Sequence, residues 1–478
     1  MLLSQLLEGI PVTGKYIDVD VKQITDNSNN ITVGCLFVCI KGARFDAHKA
    51  AYEVLQKGAA AVVVEKDIGI EKQIIVEDSR AAYALLCKNF FERSSDKLEI
   101  IGVTGTNGKT TTTFVIKDIL EALGHSCGLI GTIENLIGEE SVPSVLTTPD
   151  PFIMHALFKR MVDKGLKYCV IEASSQALHQ KRLEGISFAA GVLTNISQDH
   201  LDYHGTMDEY IAAKKELFYN CDKAVINKDE KKADYFSKDI NIPILTYSVT
   251  ENAMFKALDT VYHSNGVDYI LETKEESYPV HFGIAGSFSV YNSLCAIATV
   301  CALGFPVKDV VNAAKQAKSV PGRLESVKHN KPYNIIIDYA HTPDGLEKAI
   351  DAVKSFTKGK VISVFGCGGD RDKAKRPLMG KIASLHSDIT IVTSDNPRTE
   401  DPKAIIDEIL KGIEDKKENV FVKVDRTEAI RLALDKAKQG DTVLLLGKGH
   451  ETYQIIGLDK KHYDEREVIA ELLNGDRV

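Results

Sequence analysis

Residues 98–124 read LEIIGVTGTNGKTTTTFVIKDILEALG, and the way this stretch divides decides the fold. Its opening, LEIIGV, is a short apolar run of buried-strand length. Its second half, from Thr110 onward, has helical period and stops near Gly124, a residue suited to terminate a helix. Between the two lies Gly105-Thr106-Asn107-Gly108-Lys109-Thr110-Thr111. Glycines at such a junction let backbone N–H groups approach phosphate oxygens, while the lysine supplies a point charge and a hydroxyl can hold magnesium. Lys109 and Thr110 occupy those last two places. The generic pattern also asks for glycine five positions before Gly108, where this chain has Val103.

Working outward, residues 33–96 give the short apolar runs GCLFVCI and AAAVVVEK and then a helical pattern, RAAYALLCKNFFE, which together predict a small α/β unit. Downstream, YCVIEA, AAGVLTNI and KAVIN alternate with helical stretches such as EYIAAKKELF, so a parallel sheet covered on both faces is expected. From about 250 to 283 the sequence becomes alternating and turn-rich (VDYILET, YPVHFGI), the mark of an antiparallel excursion, before a helix at VYNSLCAIATVCALG. After VPGRLESV the strand–helix rhythm restarts with YNIIIDYA, VISVFG, DITIVTSD and DTVLLLG. The fold class expected is α/β in three domains: 1–96, a doubly wound phosphate-loop domain over 97–321, and a Rossmann-like domain over 322–478.

Composition agrees with a globular chain: of 478 residues, 44% are hydrophobic and 26% charged. A formal charge of -8 argues against a nucleic-acid binder, since phosphate-backbone binding needs a basic face. The start, MLLSQLLEGI, lacks a basic leader region, and runs such as TVLLLG are too short to span a bilayer, so a cytoplasmic protein with no membrane partner is expected. Nine cysteines are scattered without a CxxC pair or a Cys/His cluster, which predicts reduced core thiols rather than zinc or disulfides.

Two more places carry chemistry. Glu172 ends the strand YCVIEA, at the carboxyl edge where a doubly wound sheet presents its ligands. In TSDNPRTEDP, Pro397 fixes a turn and Arg398 can hold a carboxylate through two parallel hydrogen bonds. Lys214 and Lys215, adjacent on a helix, read by themselves as a solvated face.

The string GVTGTNGKTTT, with NISQDHLDYHG, VPGRLES, DYAHTP, GCGGDRDKAKRP, DNPR and GKGHETY, resembles the Mur ligase superfamily along the whole chain. That resemblance implies an ATP-dependent amide ligase of peptidoglycan synthesis, and so of cell shape and division. Gly105, Thr106, Asn107, Gly108, Lys109, Thr110 and Thr111 would hold ATP together with Asn292, Arg323, Asp338 and His341. Magnesium would be held by Thr110, Glu172, His200 and Lys214, the last as a carbamate formed with carbon dioxide; Lys109, Glu172, His200 and Lys214 are the catalytic set. Ser28 and the GARFDAH loop near His48 match the uridine-nucleotide end of a UDP-N-acetylmuramoyl-L-alanyl-D-glutamate acceptor, and Thr147, Thr148, Ser174, Gln180 and Arg182 match its muramoyl-peptide end. Arg371, Asp395, Asn396, Pro397, Arg398, Gly447 and Glu451 match contacts to the added amino acid. In the family the DNPR form goes with meso-diaminopimelate, which is lysine with a further carboxylate on its far carbon; a buried arginine left without that carboxylate would be costly. A monomer is expected. The rival readings are an L-lysine-adding ligase or a folylpolyglutamate synthase on the same scaffold, a phosphate-loop kinase or regulatory ATPase, and a non-catalytic nucleotide-binding module.

Overall fold

The structure is a computed structural model that describes residues 1–42, 45–413 and 417–475. Contacts divide the chain into two compact units, Met1–Met254 with Cys295–Val310, and Phe255–Leu294 with Val311–Val478. Ala43 and Arg44 of the GARFDAH loop lie outside the described residues.

The first unit holds two sheets. Gln23–Thr25, Cys35–Val38, Ala61–Val64 and Gln73–Ile75 form a four-stranded parallel sheet in that order. Because strand side chains alternate faces, Leu36, Val38 and Val63 pack with Ala82, Tyr83 and Leu86 of the helix Ser79–Phe90, while Phe37, Val62 and Val64 pack with Ala51 and Val54 of the helix Ala51–Gln56. The second sheet runs in the spatial order Ile244–Ser248, Ala224–Asn227, Ala190–Leu193, Glu99–Thr104, Tyr168–Glu172, Cys127–Ile130, Glu134–Ile137, Glu140–Pro143. Its first six strands are parallel, as expected. The last two are not: Glu134–Ile137 turns through a two-residue loop, Gly138-Glu139, into Glu140–Pro143, making an antiparallel edge that the alternation of apolar runs did not announce. Its strands carry Glu134, Asn135, Glu140 and Ser141, too polar to stand out as apolar runs.

In the second unit Phe255–His263, Gly266–Thr273 and Ser277–Phe282 form the expected antiparallel meander. A two-stranded antiparallel sheet pairs Tyr453–Ile456 with Asp459–His462, and an open sheet runs in the order Glu325–Ser326, Asn334–Asp338, Thr442–Leu446, Val361–Phe365, Ile389–Val392, Val420–Val422, parallel except for its first strand. Alternate residues of these near-continuous apolar strands feed two cores. Ile336, Phe365, Val392 and Leu444 face Leu346, Met379 and Ile406, while Ile335, Ile337, Val364 and Val443 face Ile430, Ala433 and Ile469. Helices therefore cover both faces, which is what runs such as NIIID and TVLLL require. All nine cysteines are free thiols, eight of them buried. Among the described residues no helix is long and apolar enough to cross a membrane.

One buried group makes the first unit sensitive to acid. His155, on the helix Pro151–Asp163, is 0% exposed, neither ring nitrogen has a hydrogen-bond partner, and its ring packs edge-on against Phe158. Desolvation, reinforced by Lys88, pushes its pKa down to about 3. The unfolded chain takes up this proton near the ordinary histidine value and the folded chain does not, so stability is lost as pH falls from about 6.5 toward 3. His155→Leu is expected to shrink the fall in urea midpoint between neutral pH and mild acid. An acid-side loss equal to the parent's would remove His155 from the account.

Candidate active site

The phosphate loop forms where the strand Glu99–Thr104 hands over to the helix Lys109–Ala122. That strand is central in its sheet, between Tyr168–Glu172 and Ala190–Leu193, so the loop opens at the carboxyl edge with neighbours on both sides. Gly105 has φ +144°, and a Cβ there would stand 1.9 Å from Thr194 Oγ1; no other residue fits. Lys109 Nζ donates to the carbonyls of Gly105 at 2.9 Å and Thr106 at 2.8 Å. Gly124 follows the end of the helix with positive φ, as its position in the sequence suggested.

Glu172 is fully buried behind the loop, and its carboxylate collects three donors: Thr110 Oγ1 at 3.0 Å, Thr132 N at 2.8 Å and Thr132 Oγ1 at 3.0 Å. The network continues toward the residues matched to the acceptor. Thr147 Oγ1 lies 3.1 Å from Thr132 Oγ1, Thr148 Oγ1 donates to the Glu172 carbonyl at 2.6 Å, and Ser174 N donates to Thr148 Oγ1 at 3.0 Å. Ser174 also caps the helix Ser175–His179. Arg182 reaches Thr148 O with Nη1 at 2.8 Å and grips Gln180 Oε1 with Nε and Nη2, while Gln180 Nε2 donates to the Tyr203 hydroxyl. Thr147, Thr148, Ser174, Gln180 and Arg182 thus form one patch with Glu172. Asp26 joins it from the N-terminal sheet: burial and the nearby Asp150 raise its carboxyl to about 6, against the pull of Arg80 and Arg182. Ser28 follows two residues later and is half-buried. His48 is held by its own unit, Nδ1 to Asp46 at 2.7 Å and Nε2 accepting from Glu65 N at 3.1 Å.

Lys214 and Lys215 are not a solvated face: they are 1% and 4% exposed on the helix Met207–Lys215. Lys214 Nζ donates to Gly105 O at 2.8 Å and lies 4.5 Å from the centre of the Tyr210 ring. Desolvation, and then Lys109, push its pKa well down. Tyr210 donates or accepts at Thr106 Oγ1, 2.8 Å away, so one buried tyrosine ties this helix to the loop. His200 is placed differently. It adopts left-handed backbone, φ 53°, with an exposed side chain whose contacts run to Asp199 and the Tyr210 ring rather than to Glu172.

In the second unit Asp338 ends a strand, 8% exposed, its carboxylate taking the backbone N–H groups of Leu324 and Ala340 at 2.8 Å each, and burial raises its pKa against the nearby Arg323. Arg323 lies over the Tyr339 ring, and His341 packs against that ring and takes a bond with the Tyr339 carbonyl. Asn292 is buried on the helix Phe288–Ala302.

The motifs GCGGDR, DNPR and GKGHE, far apart in sequence, converge at the carboxyl ends of Val361–Phe365, Ile389–Val392 and Thr442–Leu446. Arg398 has φ 51° and donates from Nη1 to Gly369 O at 2.8 Å. A Cβ on Gly368 would meet Arg398 Nη1 at 2.9 Å and Arg371 Cγ at 3.7 Å, so the two arginines flank one glycine. Asn396 Nδ2 donates to Glu451 Oε2 at 2.8 Å. Gly447, φ +109°, leaves room for Asp395, whose Oδ2 would lie 2.6 Å from a Cβ there. Below them Arg426, fully buried, pairs with Glu465 at 2.8 Å and donates to Leu446 O at 2.9 Å and Ser394 O at 3.4 Å, the residues just before Gly447 and Asp395. Arg426, Asp26, Tyr210 and Lys448 were not singled out from sequence. Lys448 alone had a local signal, its place between the two glycines of GKGHE.

A phosphate loop backed by a buried carboxylate, and a second parallel sheet ending in a paired-arginine turn, define a nucleotide-dependent enzyme of the α/β class. The chain belongs to the Mur ligase family: residues 103–300 match the Mur ligase middle domain and residues 322–449 the Mur ligase glutamate ligase domain. It is 44% identical over 99% of its length, and 100% of the relative's, to a UDP-N-acetylmuramoyl-L-alanyl-D-glutamate--2,6-diaminopimelate ligase of Clostridium perfringens, and 43% identical over 99% to the protein so named in Clostridioides difficile. A solved structure carrying the same enzyme name is similar with a TM-score of 0.72 at 32% identity, covering 96% of each chain. A MurF structure from Acinetobacter baumannii shares the fold, with a TM-score of 0.64 at 21% identity over 98% of both chains.

Proposed function

We infer that this chain is an ATP-dependent amide ligase that joins meso-diaminopimelate to the D-glutamate γ-carboxylate of UDP-N-acetylmuramoyl-L-alanyl-D-glutamate, through an acyl phosphate, in peptidoglycan synthesis. The observation that carries this reading is the convergence of Arg371, Asn396, Arg398 and Glu451 on one edge of a sheet, in a chain so similar to the named relatives. Two arginines suit the carboxylates of diaminopimelate, and Glu451 suits an ammonium.

In this reading residues 1–96 bind the uridine end of the acceptor, 97–321 bind ATP and 322–478 bind the amino acid. The γ-carboxylate attacks the γ-phosphate of ATP, and ADP leaves. Lys109 and the backbone N–H groups of the loop balance the charge that moves onto the β–γ bridging oxygen. The patch formed by Thr148, Ser174, Gln180 and Arg182 holds the acceptor, with Ser28 and His48 at its uridine end. Asn292, Arg323, Asp338 and His341 hold the adenosine and phosphates. The amine of diaminopimelate then attacks the activated carbonyl, phosphate leaves and the amine sheds a proton; Arg371 and Arg398 orient it.

Thr110 Oγ1 and the Glu172 carboxylate, hard oxygen donors 3.0 Å apart at a helix start, fit magnesium. With Thr110, Glu172, His200 and a carbamate on Lys214 as its holders, magnesium would supply positive charge to the phosphates. Lys214 suits that modification, because a lysine pushed toward its neutral amine can add carbon dioxide, losing a proton to become an anion. We carry a cytoplasmic monomer without nucleic-acid or membrane partners as part of the same reading; soluble nucleotide-linked substrates support the location.

The test is phosphate release by purified protein with ATP, magnesium and the UDP-muramoyl dipeptide, comparing meso-diaminopimelate with L-lysine. Release with diaminopimelate and only weak release with L-lysine, together with a tripeptide product of the expected mass, is the expected result. Equal use of lysine would overturn the reading of DNPR and leave a ligase, whereas no release with either would overturn the reaction itself.

A further inference from the structure

Lys448 stands between Gly447 and Gly449 with its side chain 0% exposed. A buried ammonium needs acceptors, and it has two, Asn396 Oδ1 at 3.2 Å and Glu451 Oε2 at 3.3 Å. The rings of Tyr453 and Tyr463 lie 5.8 and 6.0 Å away. The amide of Asn396 has one accepting and one donating end, and a cation can sit only on the first. Lys448 and the Ile455 N–H, at 2.9 Å, both occupy Oδ1, so Nδ2 is the end that faces Glu451. Lys448 Nζ and Asn396 Nδ2 converge on Glu451 Oε2. The contact to Oε1 is the Tyr453 hydroxyl at 3.5 Å, too long to hold that oxygen firmly.

We propose that Lys448 is a positioning residue for the amino-acid substrate: by fixing the Asn396–Glu451 pair it makes Glu451 present Oε1 to the ammonium at the far end of the ligand. Lys448 touches no reacting atom and acts through its two neighbours. The proposal rests on the amino-acid site read above.

The experiment measures KM for diaminopimelate, KM for ATP and kcat for the full-length parent, Lys448→Met, Lys448→Gln, Glu451→Gln and the Lys448→Met/Glu451→Gln double variant. Lys448→Met is expected to raise KM for diaminopimelate about tenfold, a charged hydrogen bond's worth, with KM for ATP and saturated kcat moving less than about threefold. Lys448→Gln, which keeps a donor for Asn396, gives a smaller rise. Because Lys448 works through Glu451, the double variant is no worse than Glu451→Gln by more than about twofold. Additive effects, a loss spread equally over ATP and diaminopimelate, or two Lys448 variants that fail to fold would each overturn the positioning role. A parent that releases no phosphate with diaminopimelate sinks the functional reading and the proposal together; an active parent with additive variants sinks the proposal alone.

Discussion

Lys109→Met is expected to lower kcat for diaminopimelate-dependent phosphate release by about 10³-fold, because in the proposed reaction it removes the loop's side-chain cation from the transferring phosphate. Lys109 sits at the start of the helix Lys109–Ala122, curled onto the carbonyls of Gly105 and Thr106. Those bonds are local and partly open to water, so the thermal midpoint is expected to move by no more than a few degrees. A variant that keeps a tenth of parental kcat would show that the loop does its work through backbone dipoles alone.

Arg398→Ala is expected to cut kcat/KM for diaminopimelate about 10³-fold, because the proposed site would lose a two-bond contact to the far carboxylate. Arg398→Lys restores no more than about tenfold, since an ammonium cannot match the planar fork. Weak turnover with L-lysine falls far less, because that substrate has no far carboxylate to lose. The positive φ of Arg398 supports a site role, for a non-glycine residue is held in left-handed backbone only where its surroundings require it. Equal losses with both amino acids would make Arg398 a brace for the turn rather than a reader of the ligand.

The strand–loop–helix at 98–124 and the alternating sheets were legible because their signals are local: apolar runs of strand length, glycines at the turn, a terminating glycine. DNPR was legible for the same reason. What escaped depends on contacts between distant segments. Lys214 and Lys215 look solvated in sequence, yet one spends its ammonium on Gly105 O and the other lies over the rings of Tyr235 and Tyr219, long aliphatic stems filling the interior. Lys448 and Arg426 are buried cations whose partners, Asn396 and Glu465, lie far along the chain. A short window holds Lys448 with Glu451, but none holds Lys448 with Asn396 or Arg426 with Glu465. His200 was named by resemblance, and its contacts in the structure are to Asp199 and the Tyr210 ring.

The strand Thr442–Leu446 lies between Asn334–Asp338 and Val361–Phe365, although it comes last of the three in sequence. During synthesis, then, the middle of this sheet is still missing after its five other strands have been made. Two half-sheets with raw inner edges must wait for it. A premature stop shortly before residue 442 would remove a keystone rather than trim a margin, leaving a fragment with an intact phosphate loop and no assembled edge around the DNPR turn.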